Sequence, residues 1–329
     1  MVNAADLKSA VAKAAYGFES RPRHCMAKRQ ASRAWRSGAR LLALASPELA
    51  RLRHEHAVLS SLSAPGVAKV LGIEDLGDSV ALVMDDPGER SPDQLVGPER
   101  LNLATFLRAA IGMAEALEVV HRHHIIHKDI KPENFFSNGD CGKVTLINFG
   151  AATRLVLEDR RGARIGRVEG TLAYMSPEQT GRMNRSVDRR TDLYSLGVAL
   201  YQLGTGVLPF QATDPLELLH SHIARSPVPP HVVRSDWPHI LSDIVMRLLA
   251  KNAEDRYQDI YGLKADLIHC QQRFAETGMI PQFPLGEHDF SDELRIPQDL
   301  AGVLLRRKAQ DGIIRKADHE GSAFQPRLH

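Results

Sequence analysis

The sequence predicts an α+β chain in which a small strand-containing part is followed by a larger helical one, and three observations carry that prediction. Two short apolar runs, around Val67–Ile73 and Ser79–Met84, flank the turn-like Asp75-Leu76-Gly77-Asp78 and read as a hairpin. From Leu103 onward, apolar residues recur at the 3.6-residue helical period in one segment after another. The length, 329 residues with 43% hydrophobic side chains, suits about two packed units of roughly 150 residues, or one bilobed domain with a tail.

In chain order, Met1 to about Ser46 is Ala- and Arg-rich with poor periodicity, and Ala39–Ala45 is its one strand candidate. Pro47 opens a helix that runs to Leu59, because proline is tolerated in a first helical turn and Ser46 is suited to cap it. Its apolar stripe reads Leu49, Leu52, His56 and Leu59. The hairpin follows and is broken by Asp85-Asp86-Pro87-Gly88. Between Leu103 and His123 the spacing of Phe106, Ala110, Met113, Ala114, Leu117 and Val120 is that of a buried helix. Val144–Ile147 is a short strand, and Ala151–Tyr174, polar and Arg-rich, reads as a long surface loop. Helical signals return at Thr191–Gly204, Pro215–Ala224, Trp237–Ala250 and Ile260–Thr277. Beyond Gly278 the chain turns extended, and Lys316–His329 looks like a frayed tail.

Composition excludes several classes. With 42 basic against 40 acidic side chains the net charge is +2, so no strong field surrounds the whole molecule. Cys25, Cys141 and Cys270 lie far apart, which fits neither a disulfide framework nor a paired-cysteine zinc site and suits a reducing, cytoplasmic setting. The longest unbroken aliphatic stretch, Leu41–Ala45, falls far short of the ~20 residues a membrane helix needs. No acid occurs between Ser20 and Pro47, where Arg21, Arg23, Lys28, Arg29, Arg33, Arg36 and Arg40 form a basic stripe. A nucleic-acid-binding module is one reading of that stripe; a solvated face is preferred, because no aromatic or recognition motif is interleaved.

The chemistry concentrates in His127-Lys128-Asp129-Ile130-Lys131-Pro132-Glu133-Asn134. Phosphoryl transfer needs a carboxylate to orient the attacking hydroxyl, a cation against the migrating group and an oxygen ligand for magnesium, and Asp129, Lys131 and Asn134 supply one of each. Asn148-Phe149-Gly150, Gly170-Thr171, Met175-Ser176-Pro177-Glu178, Asp192-Leu193-Tyr194-Ser195-Leu196-Gly197 and Asp255-Arg256-Tyr257 follow in order. Together these segments resemble the protein kinase family, of the serine/threonine type with a lysine two residues after the catalytic aspartate. The run Glu169-Gly170-Thr171-Leu172-Ala173-Tyr174-Met175-Ser176-Pro177-Glu178-Gln179-Thr180-Gly181-Arg182-Met183-Asn184-Arg185 is similar to the kinase module that opens large bacterial hybrid proteins. In those proteins an AAA-type ATPase region, a GAF domain and a sensor histidine kinase follow it.

The resemblance spans roughly Glu48–Leu300 and implies a bilobed protein-kinase fold. Its small N-lobe would cover residues 1–84, with 1–46 degenerate, and its larger helical C-lobe residues 85–278. Residues 279–329 would then be an extension toward an ATPase region absent from this chain, which has no GxxxxGK[ST]. The chain is thus expected to be either a truncated fragment or a stand-alone descendant, with ATPase or histidine kinase domains as candidate partners on another chain. The resemblance also implies an ion pair between Glu178 and Arg256 that anchors the activation segment, with Asp192 holding the catalytic-loop backbone. Met84 would stand before a hinge at Asp85 and Asp86, and Asn134 and Asn148 would hold metal.

Three departures fall on nucleotide handling. Asn148 stands where the family has a metal-binding aspartate, which removes a full negative charge. Glu55 stands where kinases place a helix glutamate paired with a strand lysine, yet Ala39–Ala45 contains none, leaving Arg40 or Lys28 as substitutes. Tyr16–Pro22 offers no GxGxxG to cover phosphates. The expectation is therefore a serine/threonine kinase-like signalling domain with weak or lost ATP and magnesium use, acting as a regulatory or binding module toward a protein substrate or partner. The alternative is an active kinase with a non-standard nucleotide site.

Overall fold

In the computed structural model the first described element is strand β1, Arg40–Leu44, followed by helix α1, Leu49–Ser60, and the hairpin strands β2, Val70–Asp75, and β3, Val80–Met84. The described residues are 40–44, 49–62, 64–75, 80–88, 91, 101–137, 143–155, 170–183 and 185–289, with the backbone alone for 40–44 and 75. The basic stripe, Tyr16–Pro22, Lys28, the Ser46-Pro47 cap and the chain beyond Asp289 lie outside them, as does the side chain of Arg40. The three strands form an antiparallel sheet in the order β1-β3-β2. Arg40 pairs with Met84 and Ala43 with Ala81, while β2 is bulged between Val70 and Gly72.

Helix α1 departs from its expected stripe. Leu52, Glu55, Val58 and Leu59 are the buried positions, whereas Leu49 and His56 are only half-buried. The helix turns a carboxylate inward along with its leucines, for a reason found below in the partner of Glu55. Beneath the sheet, Leu52, Leu59 and Leu62 join Leu82 and Met84 in a core continuous with that of the helical lobe.

The C-lobe begins with α2, Leu103–Arg122, capped by the Asn102 side chain accepting from the Thr105 backbone N–H at 2.9 Å. All six residues expected to form its inner face are fully buried. Two small antiparallel ribbons carry the catalytic segments: β4, Ile125–Ile126, with β7, Thr153–Arg154, and β5, Phe135–Ser137, with β6, Val144–Leu146. The lobes are stitched at β6, whose Leu146 donates to Gly66 O at 2.9 Å and accepts from Ala68 N at 3.0 Å.

The rest is helical: α3, Arg189–Thr205; α4, Pro215–Ala224; α5, Pro230–Val233; α6, His239–Leu248; and α7, Ile260–Thr277. Helix α3 is buried on nearly every face, which makes it the spine of this lobe. The short α5 carries no sequence signal of its own. Within the stretch expected to be a surface loop, both described ends are built in: Ala151, Ala152 and Thr153 are buried at the start and Tyr174 at the finish. Past Gly278, residues 285–289 fold back on the lobe. Asp289 accepts from Gln258 N and Asp259 N at 2.8 and 3.1 Å, and from Arg247 at 2.9 Å. No helix among the described residues is long and apolar enough to cross a membrane.

Candidate active site

The site grows from a loop held open by its backbone. Between β4 and β5 the chain passes Lys128 in the left-handed region, at φ 66°, which a non-glycine residue adopts only when its surroundings enforce it. Three groups do so. From the first turn of α3, the fully buried Asp192 carboxylate accepts from the backbone N–H of His127 and of Lys128, each at 2.8 Å. From the other side, Gln179 Nε2 donates to the Lys128 carbonyl at 2.8 Å while its Oε1 accepts from Ser176 N at 3.1 Å. Gly170, at φ +107°, closes the sandwich, since a Cβ there would sit 2.7 Å from that same carbonyl.

The turn aims Asp129 at the activation segment. Its Oδ1 accepts from both the backbone N–H and the hydroxyl of Thr171, at 2.9 and 2.8 Å. Lys131 Nζ donates to Thr171 Oγ1 at 2.8 Å and stands 3.8 Å from Asp129 Oδ2. Asn134 Nδ2 reaches back to the Asp129 carbonyl at 2.7 Å and to its Oδ2 at 3.4 Å. His127, wholly buried, meets Ile147 O through Nε2 at 3.1 Å and packs edge-on against Phe149. Burial holds its imidazole below the usual histidine range against the pull of Asp192 and Asp129.

Asn148 completes the cluster from the opposite strand end. It too is left-handed, at φ 67°, a region that asparagine and aspartate enter more readily than most residues. Its Nδ2 donates to Asp129 Oδ2 at 3.3 Å and to Asn134 Oδ1 at 3.2 Å. The amide thus turns N–H toward Asp129 and toward Asn134 Oδ1, the oxygen that a cation would need. To serve as a ligand it would have to rotate and present Oδ1, and the donor set would then be two neutral amide oxygens with no carboxylate at position 148, a poor match to hard divalent magnesium.

Other expected residues fall as follows. Glu178 and Arg256 form a buried bidentate pair at 2.7 and 3.0 Å. Thr191 Oγ1 also donates to Glu178, and Arg256 spends its remaining donors on the carbonyls of Arg190, Ala250 and Lys251. Met84, 1% exposed, ends β3 inside the core. Asp85 is exposed and pairs with Lys69 at 3.7 Å, and Asp86 accepts from Gly88 N at 3.1 Å. Glu55 does not meet a lysine among the described side chains; its Oε1 accepts from the backbone N–H of Phe149 at 3.0 Å. Sequence reasoning does not anticipate Thr171 as the partner of Asp129, or Gln179 as the brace of Lys128. The adjacency of Gly170 and Thr171 is the one signal that points toward the first.

The family model described as protein kinase domain matches residues 41–265. The probable serine/threonine-protein kinase CPE1738 of Clostridium perfringens is 33% identical over 218 residues, which cover 66% of this chain and 31% of that protein. Serine/threonine-protein kinase PknB of Mycolicibacterium smegmatis is 36% identical over 170 residues, 52% of this chain and 26% of that protein. Hybrid signal transduction histidine kinase G of Dictyostelium discoideum is 32% identical over 234 residues, 51% of this chain and 7% of that protein. The chain therefore spans under a third of the length of each of these relatives.

Proposed function

Because the chain belongs to the protein kinase family, and to its serine/threonine type, we propose that it is a regulatory or binding module in which magnesium-dependent transfer from ATP is weak or lost. One observation carries the reading: the Asn148 amide donates to Asp129 Oδ2 and Asn134 Oδ1. In an active site of this kind Asn134 would share a divalent metal with an aspartate at position 148, while Asp129 orients the acceptor hydroxyl. Here position 148 supplies a neutral N–H2 group in place of the carboxylate that would hold the cation, and the neighbouring Asp129 charge already faces Lys131 at 3.8 Å. If the missing carboxylate costs about 2.7 to 4 kcal/mol of transition-state stabilisation, transfer slows by about 10²- to 10³-fold from this change alone.

A second reading, an active serine/threonine kinase with a non-standard nucleotide site, has its own support. Asp129, Lys131 and Thr171 are already assembled, so an acceptor hydroxyl would find a carboxylate to orient it and an ammonium beside the transferring group. In either reading the partner is another protein, and the hybrid histidine kinase among the relatives makes ATPase or histidine kinase domains reasonable partners.

The test is thermal unfolding with and without magnesium-ATP, run beside autophosphorylation. The expected result is a shift below about 2 °C, the size of weak ligand linkage, with phosphate incorporation no greater than in Asp129→Asn. A shift of many degrees together with turnover that disappears in Asp129→Asn would establish the active reading instead.

A further inference from the structure

We propose that residues 283–289 form a releasable strap whose docking braces the anchor of the activation segment, so that capture of the chain after Asp289 loosens that anchor. This goes beyond the reading above and does not depend on it. Three consecutive residues carry the coupling because they face two ways. Arg256, wholly buried, turns to Glu178, with which it pairs at 2.7 and 3.0 Å. Tyr257 and Gln258, also buried, turn to the strap and its supports.

The strap reaches them by two routes. Asp289 Oδ1 accepts from the backbone N–H of Gln258 and of Asp259, at 2.8 and 3.1 Å, the two donors just ahead of α7. Asp266, on α7, accepts through Oδ2 from the Tyr257 hydroxyl at 2.6 Å and from the Gly286 N–H of the strap at 2.8 Å. Arg247, on α6, completes the second route. Its guanidinium lies 4.3 Å from the Tyr257 ring centroid and donates to Leu285 O and Asp289 Oδ2, each at 2.9 Å. Two glycines permit the close approach. A Cβ at Gly262 would stand 2.7 Å from Asp289 Cα, and one at Gly286, left-handed at φ +78°, would collide with the Arg247 guanidinium.

From Gln258 the path continues into the frame of the site. Its Oε1 accepts from Arg190 at 2.9 Å and its carbonyl from Arg189 Nε at 3.2 Å, both in the first turn of α3. Its Nε2 donates to the Arg256 carbonyl at 2.8 Å, and Arg256 donates to the Arg190 carbonyl at 2.9 Å as well as to Glu178. A network of this kind couples distant groups where one element has two arrangements. The strap is that element. Taken as whole residues, none from 281 to 289 is fully buried, and 281, 282, 284, 287 and 288 are exposed. The strap has no helix or strand of its own, and its apolar grip centres on Phe283, edge-on to His269 at 4.5 Å. A segment with so few buried contacts opens at a lower free energy than the lobe as a whole. The residues it braces are buried, and its release strips two of their N–H groups of an acceptor.

The experiment follows amide exchange in the nucleotide-free full chain at several low urea concentrations. Exchange that barely responds to urea reports local opening, whereas exchange that follows the global slope reports unfolding. Wild type is compared with Asp289→Ala, which removes the acceptor, and Gly286→Val, which displaces the strap by collision. In both variants a peptide covering residues 257–261 is expected to exchange at least about tenfold faster, and one covering 176–182 at least about threefold faster, by urea-insensitive opening. Faster exchange at 257–261 with no change at 176–182 would refute the coupling. Acceleration only through the urea-sensitive route would show that the strap does not open separately, and would refute it equally. Should either variant fail to fold, Phe283→Ala, which removes the His269 contact and leaves every polar anchor, decides between the same outcomes at about half the size. Neither nucleotide nor turnover enters these readouts, so failure of the strap is separable from failure of the functional reading.

Discussion

Replacing Asn148 by aspartate puts the central inference at risk, because it reverses the sign of one contact and leaves the shape of the side chain almost unchanged. The Asn148 amide nitrogen stands 3.3 Å from Asp129 Oδ2. A carboxylate oxygen at that distance would repel Asp129 by about 5 kcal/mol at an effective dielectric constant of roughly 20. The variant also forfeits the two hydrogen bonds the amide donates. Rotation of the new side chain and proton uptake relieve part of this, leaving about 2 to 4 kcal/mol, or roughly 5 to 15 °C of melting temperature. A divalent cation held by the new carboxylate and Asn134 would offset the repulsion. N148D is therefore expected to melt well below wild type in a chelator and to regain about 2 kcal/mol or more in millimolar magnesium, whereas wild type changes by less than about 2 °C. Autophosphorylation is expected to rise about 10²- to 10³-fold. Equal stability of the two proteins in chelator, or a magnesium shift in wild type as large as that of N148D, would show that the Asn148 amide does not stand in for a cation.

The remaining predictions concern the frame around the site. Arg256→Ala strands the buried Glu178 carboxylate and is expected to cost about 3 to 5 kcal/mol in urea unfolding, so a loss under about 1 kcal/mol would mean that the pair carries no structural load. His222, buried against Tyr194 and beside Lys251, has its imidazole lowered to about 4 by burial first and by Lys251 second. A lowered folded value means stability is full above the unfolded value near 6.5 and drains as pH falls toward 4, about 2 kcal/mol being lost by pH 5. His222→Gln should flatten that part of the urea-midpoint profile between pH 7 and 5, and an unchanged slope would refute the assignment. Asp289→Ala removes the acceptor for Gln258 N, Asp259 N and Arg247 and should cost about 2 to 4 kcal/mol; a neutral result would mean that residues 285–289 are not part of the folded lobe.

Much of the fold is legible because it is written locally. Pro215–Ala224 and Ile260–Thr277 match the structure residue for residue, since an aspartate cap precedes each and the apolar period is unbroken between. The octapeptide His127–Asn134 is legible because its chemistry lies in consecutive residues. The inward face of α1 is not. A hydrophobic-stripe reading selects Leu49 and His56, but the helix buries Glu55, whose partner is a backbone N–H distant in sequence. Backbone donors have no sequence signature, so a carboxylate that answers one is indistinguishable from a surface charge until the fold is known. The same blindness hides Gln179, whose target is the Lys128 carbonyl. It also hides Asp289, which caps two backbone N–H groups where the chain reads only as extended.

The hydrogen bonds also change what the presence of a catalytic motif can mean. Asp129 accepts twice from Thr171 and once each from Asn134 and Asn148, so it ties the catalytic loop to the activation segment whether or not any phosphoryl group is transferred. Asn134 closes the loop on itself through the Asp129 carbonyl, and Asp192 and Gln179 hold the left-handed Lys128 from opposite sides. Each of these residues would destabilise the lobe if lost, because a buried donor or acceptor would be left without a partner. A chain released from catalysis would therefore still need them, and their persistence is not evidence of turnover. Position 148 is different: an amide satisfies its two neighbours without a metal, and a carboxylate needs one. The choice between the two side chains is thus the point where the fold's requirements and the reaction's requirements separate.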